Sequence, residues 1–117
     1  MKNLLKFCSI AEIITALVLI FFPSVIIQLL FEAELNEIAM LITRFAGICL
    51  LCFGIVCWPK QEIIQASWAM FFYNILVTLF FIYIGIHQKW VGILLWPVVG
   101  LHFSLSVLLF RGLLAKK

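Results

Sequence analysis

Four residues of this chain are strongly polar where almost everything around them is apolar: Glu12, Arg44, Asn74 and His102. Each lies well inside its own hydrophobic run. A carboxylate beside an imidazole can exchange a proton near neutral pH. A guanidinium can hold a carboxylate ionised, and a carboxamide donates and accepts hydrogen bonds at once. An ionised side chain in hydrocarbon costs on the order of 3 kcal/mol or more, so such residues gather around ligands, ions or one another. The set therefore reads as a ligand-binding or proton-linked site. The competing reading is a hydrogen-bond network that only fixes packing. Buried ion pairs are often no better for stability than apolar packing, which favours the site.

The elements that must carry these residues follow from composition. Of 117 residues, 67% are hydrophobic and 11% charged. A soluble domain of this size leaves too much surface exposed to hide so much apolar side chain. Four apolar segments can be marked off, at about residues 4–22, 38–58, 63–86 and 91–114. Each is close to or above the roughly 20 residues that cross a bilayer core as a helix. They are apolar on all sides, unlike the alternating segments of a transmembrane barrel. Pro23 breaks the first helix and can start another, so "PSVIIQLLF" predicts a short interfacial helix over about 23–31. Asn36 is placed to cap the second span. The turns "WPKQE" and "HQKW" are short and force antiparallel neighbours. The expected fold is an all-α integral membrane protein, one domain over 1–117, built as an up-down bundle of four transmembrane helices.

Counting 1.5 Å per residue from the segment starts puts Glu12 and His102 about 10 to 12 Å from one edge, and Arg44 and Asn74 near 18 to 20 Å. In a compact bundle all four fall within one or two helical turns, and Arg44 and His102 become the expected partners of Glu12. The helix faces carry the same message. Cys8, Ser9, Glu12, Thr15 and Ala16 group on the first helix, and Arg44, Gly47 and Gly54 on the second. Ser67, Asn74, Thr78 and Gly85 align on the third, and Gly92, Val99, His102 and Ser106 on the fourth. Small residues admit close helix approach and polar ones bond across it. Thr15, Thr78 and Ser106 are thus secondary candidates for the site.

Charge placement gives orientation. Lys2, Lys6, Lys60, Arg111, Lys116 and Lys117 fall on one side and Lys89 on the other, which predicts cytoplasmic termini in a multi-pass inner (plasma) membrane protein. The net charge of +3 is then a topology signal, not a nucleic-acid footprint. Glu12 interrupts the first apolar run and no A-x-A-like site follows, so the run reads as a retained helix and not a signal peptide. Trp58, Trp90 and Trp96 sit at predicted helix ends, as belt residues do. "CLLC" at 49–52 has redox spacing, but with Cys8 and Cys57 it lies in apolar surroundings where thiols are inert packing residues. His102 has no second ligand at its depth, so neither metal nor cofactor is expected. No catalytic motif occurs, and an enzymatic role is not expected.

Two families share features with the chain. "NEIAMLITRFAGICLLCFGIVCW" resembles the second helix of small DoxX-like membrane proteins, in which an acidic loop leads into a helix bearing Arg and then two Gly. The first helix ending "LIFFPSVIIQLLF" and the overall length are similar too. That resemblance implies a four-helix bacterial inner-membrane protein, in some members an accessory subunit of quinone-linked oxidoreductases, with Glu37 and Arg44 as the matching positions. Ala11-Glu12-Ile13-Ile14 is similar to the first helix of the small multidrug resistance transporters. It implies that protons and lipophilic cations compete at Glu12. The third helix lacks that family's Gly- and Trp-containing motif, and an Arg beside Glu12 would repel a cation.

The partners expected from sequence are therefore the lipid bilayer, an amphipathic small molecule such as a quinone or lipid, and a second copy or a membrane-complex subunit. A purely structural or assembly role is the alternative from a different class.

Overall fold

The computed structural model describes residues 1–60, 63–87 and 90–115. These residues are helical with no strand among them, and they form five helices: α1 (Lys2–Phe21), α2 (Pro23–Phe31), α3 (Glu37–Val56), α4 (Ile63–His87) and α5 (Leu95–Ala115). Four of the five, all but α2, are long and apolar enough to span a membrane. The chain is an all-α multi-pass membrane protein. Lys89, Lys116 and Lys117 of the charge asymmetry, and parts of the two short turns, lie outside the described residues.

Local sequence accounts for the breaks. Phe22 leaves helical geometry (φ −134°, ψ 55°) and Pro23 opens α2 at its first position, where a missing N–H costs nothing. Glu32 ends α2 in the left-handed region, its N–H donating to the Gln28 carbonyl at 2.9 Å. Asn36 caps α3, its Oδ1 accepting from Ala39 N–H at 2.7 Å. Pro59 disfavours helix at the residue before it, and α3 stops at Val56.

The last span begins later than sequence spacing predicts, at Leu95 and not near Val91. Its first residues serve α2 instead. Gly92 N–H donates to the Leu30 carbonyl at 2.8 Å, and Leu94 N–H to the Leu29 carbonyl at 2.9 Å. Carbonyls at a helix C-terminus lack partners within the helix, so this loop completes α2. Gly92 is required there, because a Cβ would overlap the Leu29 carbonyl oxygen.

The spans pack as two hairpins, α1 with α3 and α4 with α5, and α1 is the hub that touches both. The α1–α3 seam is built on glycine: Gly47 sits on Ala16 and Ile20, and Gly54 on Ser9 and Ile13. Without a hydrophobic drive inside lipid, such small residues let backbones approach and gain dispersion contact. The second seam runs along Ser67, Met70, Asn74, Thr78 and Gly85 of α4. Leu5, Cys8, Cys57, Met70, Leu105 and Leu109 form the apolar core at the end that carries Met1. By contrast α3 and α4 barely meet, and the Phe53 and Tyr73 rings, 5.1 Å apart, bridge the space between them.

Candidate functional site

Glu12 is buried, with 3% of its surface exposed, where α1 meets the α4–α5 hairpin. Its Oε1 lies 3.8 Å from His102 Nε2. The Tyr73 ring stands on the flank of this contact, its centroid 6.2 Å from that of His102. Three helices thus place a carboxyl, a phenol and an imidazole around one point.

The backbone fixes how His102 presents itself. Its Nδ1 lies 2.9 Å from the Val98 carbonyl, one turn earlier in α5. A carbonyl only accepts, so Nδ1 carries the hydrogen and Nε2 is the atom left facing Glu12. A bare Nε2 lone pair against an ionised carboxylate would be repulsive. The contact becomes favourable when the pair holds one proton, either on Glu12 or on Nε2 as an imidazolium. At 3.8 Å the two atoms approach closely without a hydrogen bond, so the arrangement is a carboxyl and an imidazole side by side, with a phenol on their flank.

Asn74 follows Tyr73 and is fully buried. Its Nδ2 donates to the Met70 carbonyl at 2.8 Å, while Oδ1 has no partner among the described residues. Ser9 Oγ and Ser67 Oγ are buried and unpaired in the same sense. Thr78 and Ser106 lie on the same interior faces, each hydroxyl donating to the carbonyl four residues back, at Asn74 and His102 respectively. Such back-bonds satisfy the hydroxyls within their own helices.

Not every expected residue joins this set. Arg44 is exposed and has no carboxylate partner among the described residues, so the expected Glu12–Arg44 ion pair is not formed. The register explains it. With Gly54 level with Ser9–Ile13 and Gly47 level with Ala16–Ile20, Arg44 comes level with about Phe21. That is about nine residues, or about 13 Å, along α1 from Glu12. Exposed on the outside of α3, a guanidinium on a long stem can extend along the helix toward the headgroup zone, which removes the need for a buried partner. Thr15 is exposed too, donating to its own Ala11 carbonyl at 2.8 Å, and Glu37 stands exposed in the first turn of α3. Neither makes a hydrogen bond or ion pair with Glu12 among the described residues.

Tyr73 is the member that sequence reasoning missed. It lies in an unbroken aromatic and aliphatic run and reads there as packing bulk. Its position beside Asn74 was the available signal. It also faces a second environment. A groove of about 410 Å³ opens between α3 and α4, walled by Ala46, Cys49, Leu50 and Phe53, with Leu19 of α1 and Tyr73 completing it. Tyr73 thus links a lateral, lipid-facing groove to the buried Glu12–His102 pair. Among the described residues no three His, Cys, Asp or Glu side chains converge in a metal-binding group.

Comparison with known proteins adds no relative: no family model, no curated protein and no solved structure matches the chain.

Proposed function

We propose that the protein binds an amphipathic small molecule of quinone or lipid type. The ligand enters sideways from the bilayer between α3 and α4, with its polar head at Tyr73 and the Glu12–His102 contact behind. The observation that carries this reading is that Tyr73 lines the groove and also stands beside His102, ring centroids 6.2 Å apart, at the Glu12–His102 contact. The volume of about 410 Å³ lies in the range of small-molecule pockets, ~300–1,000 Å³. The apolar walls suit a tail, and the phenol supplies the oriented polar contact that such pockets use for specificity. In this role the chain acts alone or as an accessory subunit, in a bacterial inner membrane with both termini cytoplasmic. Reporters fused after Asn36 and after the C-terminus should report opposite sides of the membrane.

A photoreactive azido-decylquinone, applied to protein in liposomes, tests the site. Crosslinks should map to groove residues. Tyr73→Phe should weaken protection by unlabelled decylquinone several-fold, the worth of one hydrogen bond. Ala46→Phe, which fills the groove from the lipid side, should abolish labelling. Labelling that ignores both substitutions refutes the reading.

One observation favours a second function, proton-coupled export of lipophilic cations at Glu12. Arg44 lies far from that carboxyl and does not repel a cation there. Tetraphenylphosphonium binding that is lost in Glu12→Gln would select this alternative over the first. If neither probe binds, the polar set is a packing device.

A further inference from the structure

The end of the bundle that carries Met1 has a second groove, of about 410 Å³, whose chemistry differs from the first. Ile13 of α1 and Ile55 and Val56 of α3 form its apolar part, and Trp58 and Lys60 close it just beyond the end of α3. Lys6 comes to the same place from the first turns of α1: its Nζ stands 5.9 Å from the centroid of the Trp58 ring. An ammonium beside an indole and a second lysine, Lys60, therefore stand together at the mouth of an apolar slot. Among the described residues neither ammonium has a carboxylate partner.

The dimensions fit one kind of occupant. Lys6 and Ile13 are seven residues apart, which is about 10 Å along α1. The basic mouth lies at the ends of the spanning helices, where lipid headgroups sit, and the slot descends from there along the α1–α3 seam. Indole rings favour this depth because their bodies are apolar and their N–H needs a polar partner. Basic residues beside spanning helices attract anionic lipid, each adding about a fivefold preference. The floor of the slot is firm, since Gly54 lets α1 and α3 close to contact at Ile13 and Ser9.

We propose that Lys6, Trp58 and Lys60 form a binding site for an anionic phospholipid. The phosphate is held between the two ammonium groups and the indole, and the upper acyl chain lies over Ile13, Ile55 and Val56. The site is separate from the Tyr73 groove and does not depend on what that groove binds. Its physical role is to fix the α1–α3 hairpin to one leaflet of the membrane.

The test uses the full chain in liposomes and reads quenching of Trp58, isolated by difference against Trp58→Phe. The probes are phosphatidylglycerol and phosphatidylcholine brominated high in their acyl chains, at equal mole fraction. Phosphatidylglycerol should quench Trp58 at several-fold lower mole fraction than phosphatidylcholine. Lys6→Gln and Lys60→Gln should each reduce that preference about fivefold, and Lys60→Arg should keep it. Lys60 is exposed and Lys6 half-buried, neither belongs to the glycine seam, and melting temperature checks that the variants fold. Equal quenching by the two lipids in the parent chain overturns the proposal, as does a preference unchanged in Lys6→Gln/Lys60→Gln. Relief of quenching by inorganic phosphate, but not by chloride at matched ionic strength, would assign the site to free phosphate and overturn it too.

Discussion

The Glu12–His102 contact makes a quantitative claim that a double-mutant cycle can check. Replacing His102 with Leu removes the atom facing Glu12 Oε1 at 3.8 Å and leaves a carboxyl with 3% exposure to find another partner. Replacing Glu12 with Leu removes the polar group nearest His102 Nε2. Stranding a buried polar group costs about 1–3 kcal/mol, while replacing both members by apolar groups of similar size is close to neutral. The two single changes should therefore each destabilise by about 1–3 kcal/mol, and the double change by less than their sum. A coupling energy of about 1–2 kcal/mol is expected, within the range for residues in contact. The control cycle pairs Glu12→Leu with Arg44→Leu. Those residues stand about 13 Å apart along the bundle, so their effects should add within about 0.5 kcal/mol. Reversible unfolding in mixed micelles, followed by circular dichroism, measures both cycles. Additivity at Glu12 and His102, or coupling above 1 kcal/mol between Glu12 and Arg44, would refute the register and the pair together.

Three further outcomes follow from packing. Gly92→Ala drives a Cβ into the Leu29 carbonyl and should cost several kcal/mol, whereas Gly100→Ala meets nothing within 4 Å and should leave the melting temperature unchanged or raised. Gly47→Ala should cost about 1–3 kcal/mol and exceed Gly54→Ala, because its Cβ would lie 2.9 Å from the Ala16 carbonyl oxygen, which cannot swing away, against 3.3 Å from the Ser9 oxygen at Gly54. Cys49 and Cys52 are exposed on α3, so a Cys49→Ala/Cys52→Ala chain should melt as the parent does, while Cys8→Phe, placed in the buried core, should be destabilised by about 1–3 kcal/mol.

What the sequence discloses and what it hides divide along physical lines. The spans, the break at Pro23 and the cap at Asn36 are local events, set by apolar length, a missing N–H and one side-chain acceptor. They need no knowledge of neighbours. The late start of α5 is not local, because Val91–Leu94 gives up helix to complete the carbonyls of α2, a segment about 60 residues earlier. Arg44 shows the same limit. Its height along α3 can be counted, but its direction depends on which glycines of α3 meet α1. Gly47 lies three residues on, about 60° around the helix, and that offset turns a long side chain out of the interface. Tyr73 was hidden for the opposite reason: an amphipathic residue in an aromatic run declares its apolar ring, and only the packing of the helices sets it beside His102.

The placement of the polar residues also follows from how the two hairpins are held. Within each hairpin, close backbone approach and dispersion suffice, and α1 against α3 uses only glycine for the purpose. Between hairpins the helices touch more sparsely, chiefly through the core of Leu5, Cys8, Met70, Leu105 and Leu109 near Met1, and lipid supplies no hydrophobic drive to close them further. Glu12, Tyr73 and His102 stand at that junction, where a directional contact adds most to what packing alone provides. The same junction leaves α3 and α4 apart and Tyr73 accessible in the groove. A ligand head that hydrogen-bonds Tyr73 would act on the ring that stands beside His102 and so on the contact that joins the halves. Occupancy of the groove and the angle between hairpins should therefore change together. A spin-label distance between α3 and α4 that shifts on adding decylquinone, and no longer shifts in Tyr73→Phe, is the expected sign of that linkage. An unchanged distance under saturating quinone would mean that the junction is only structural.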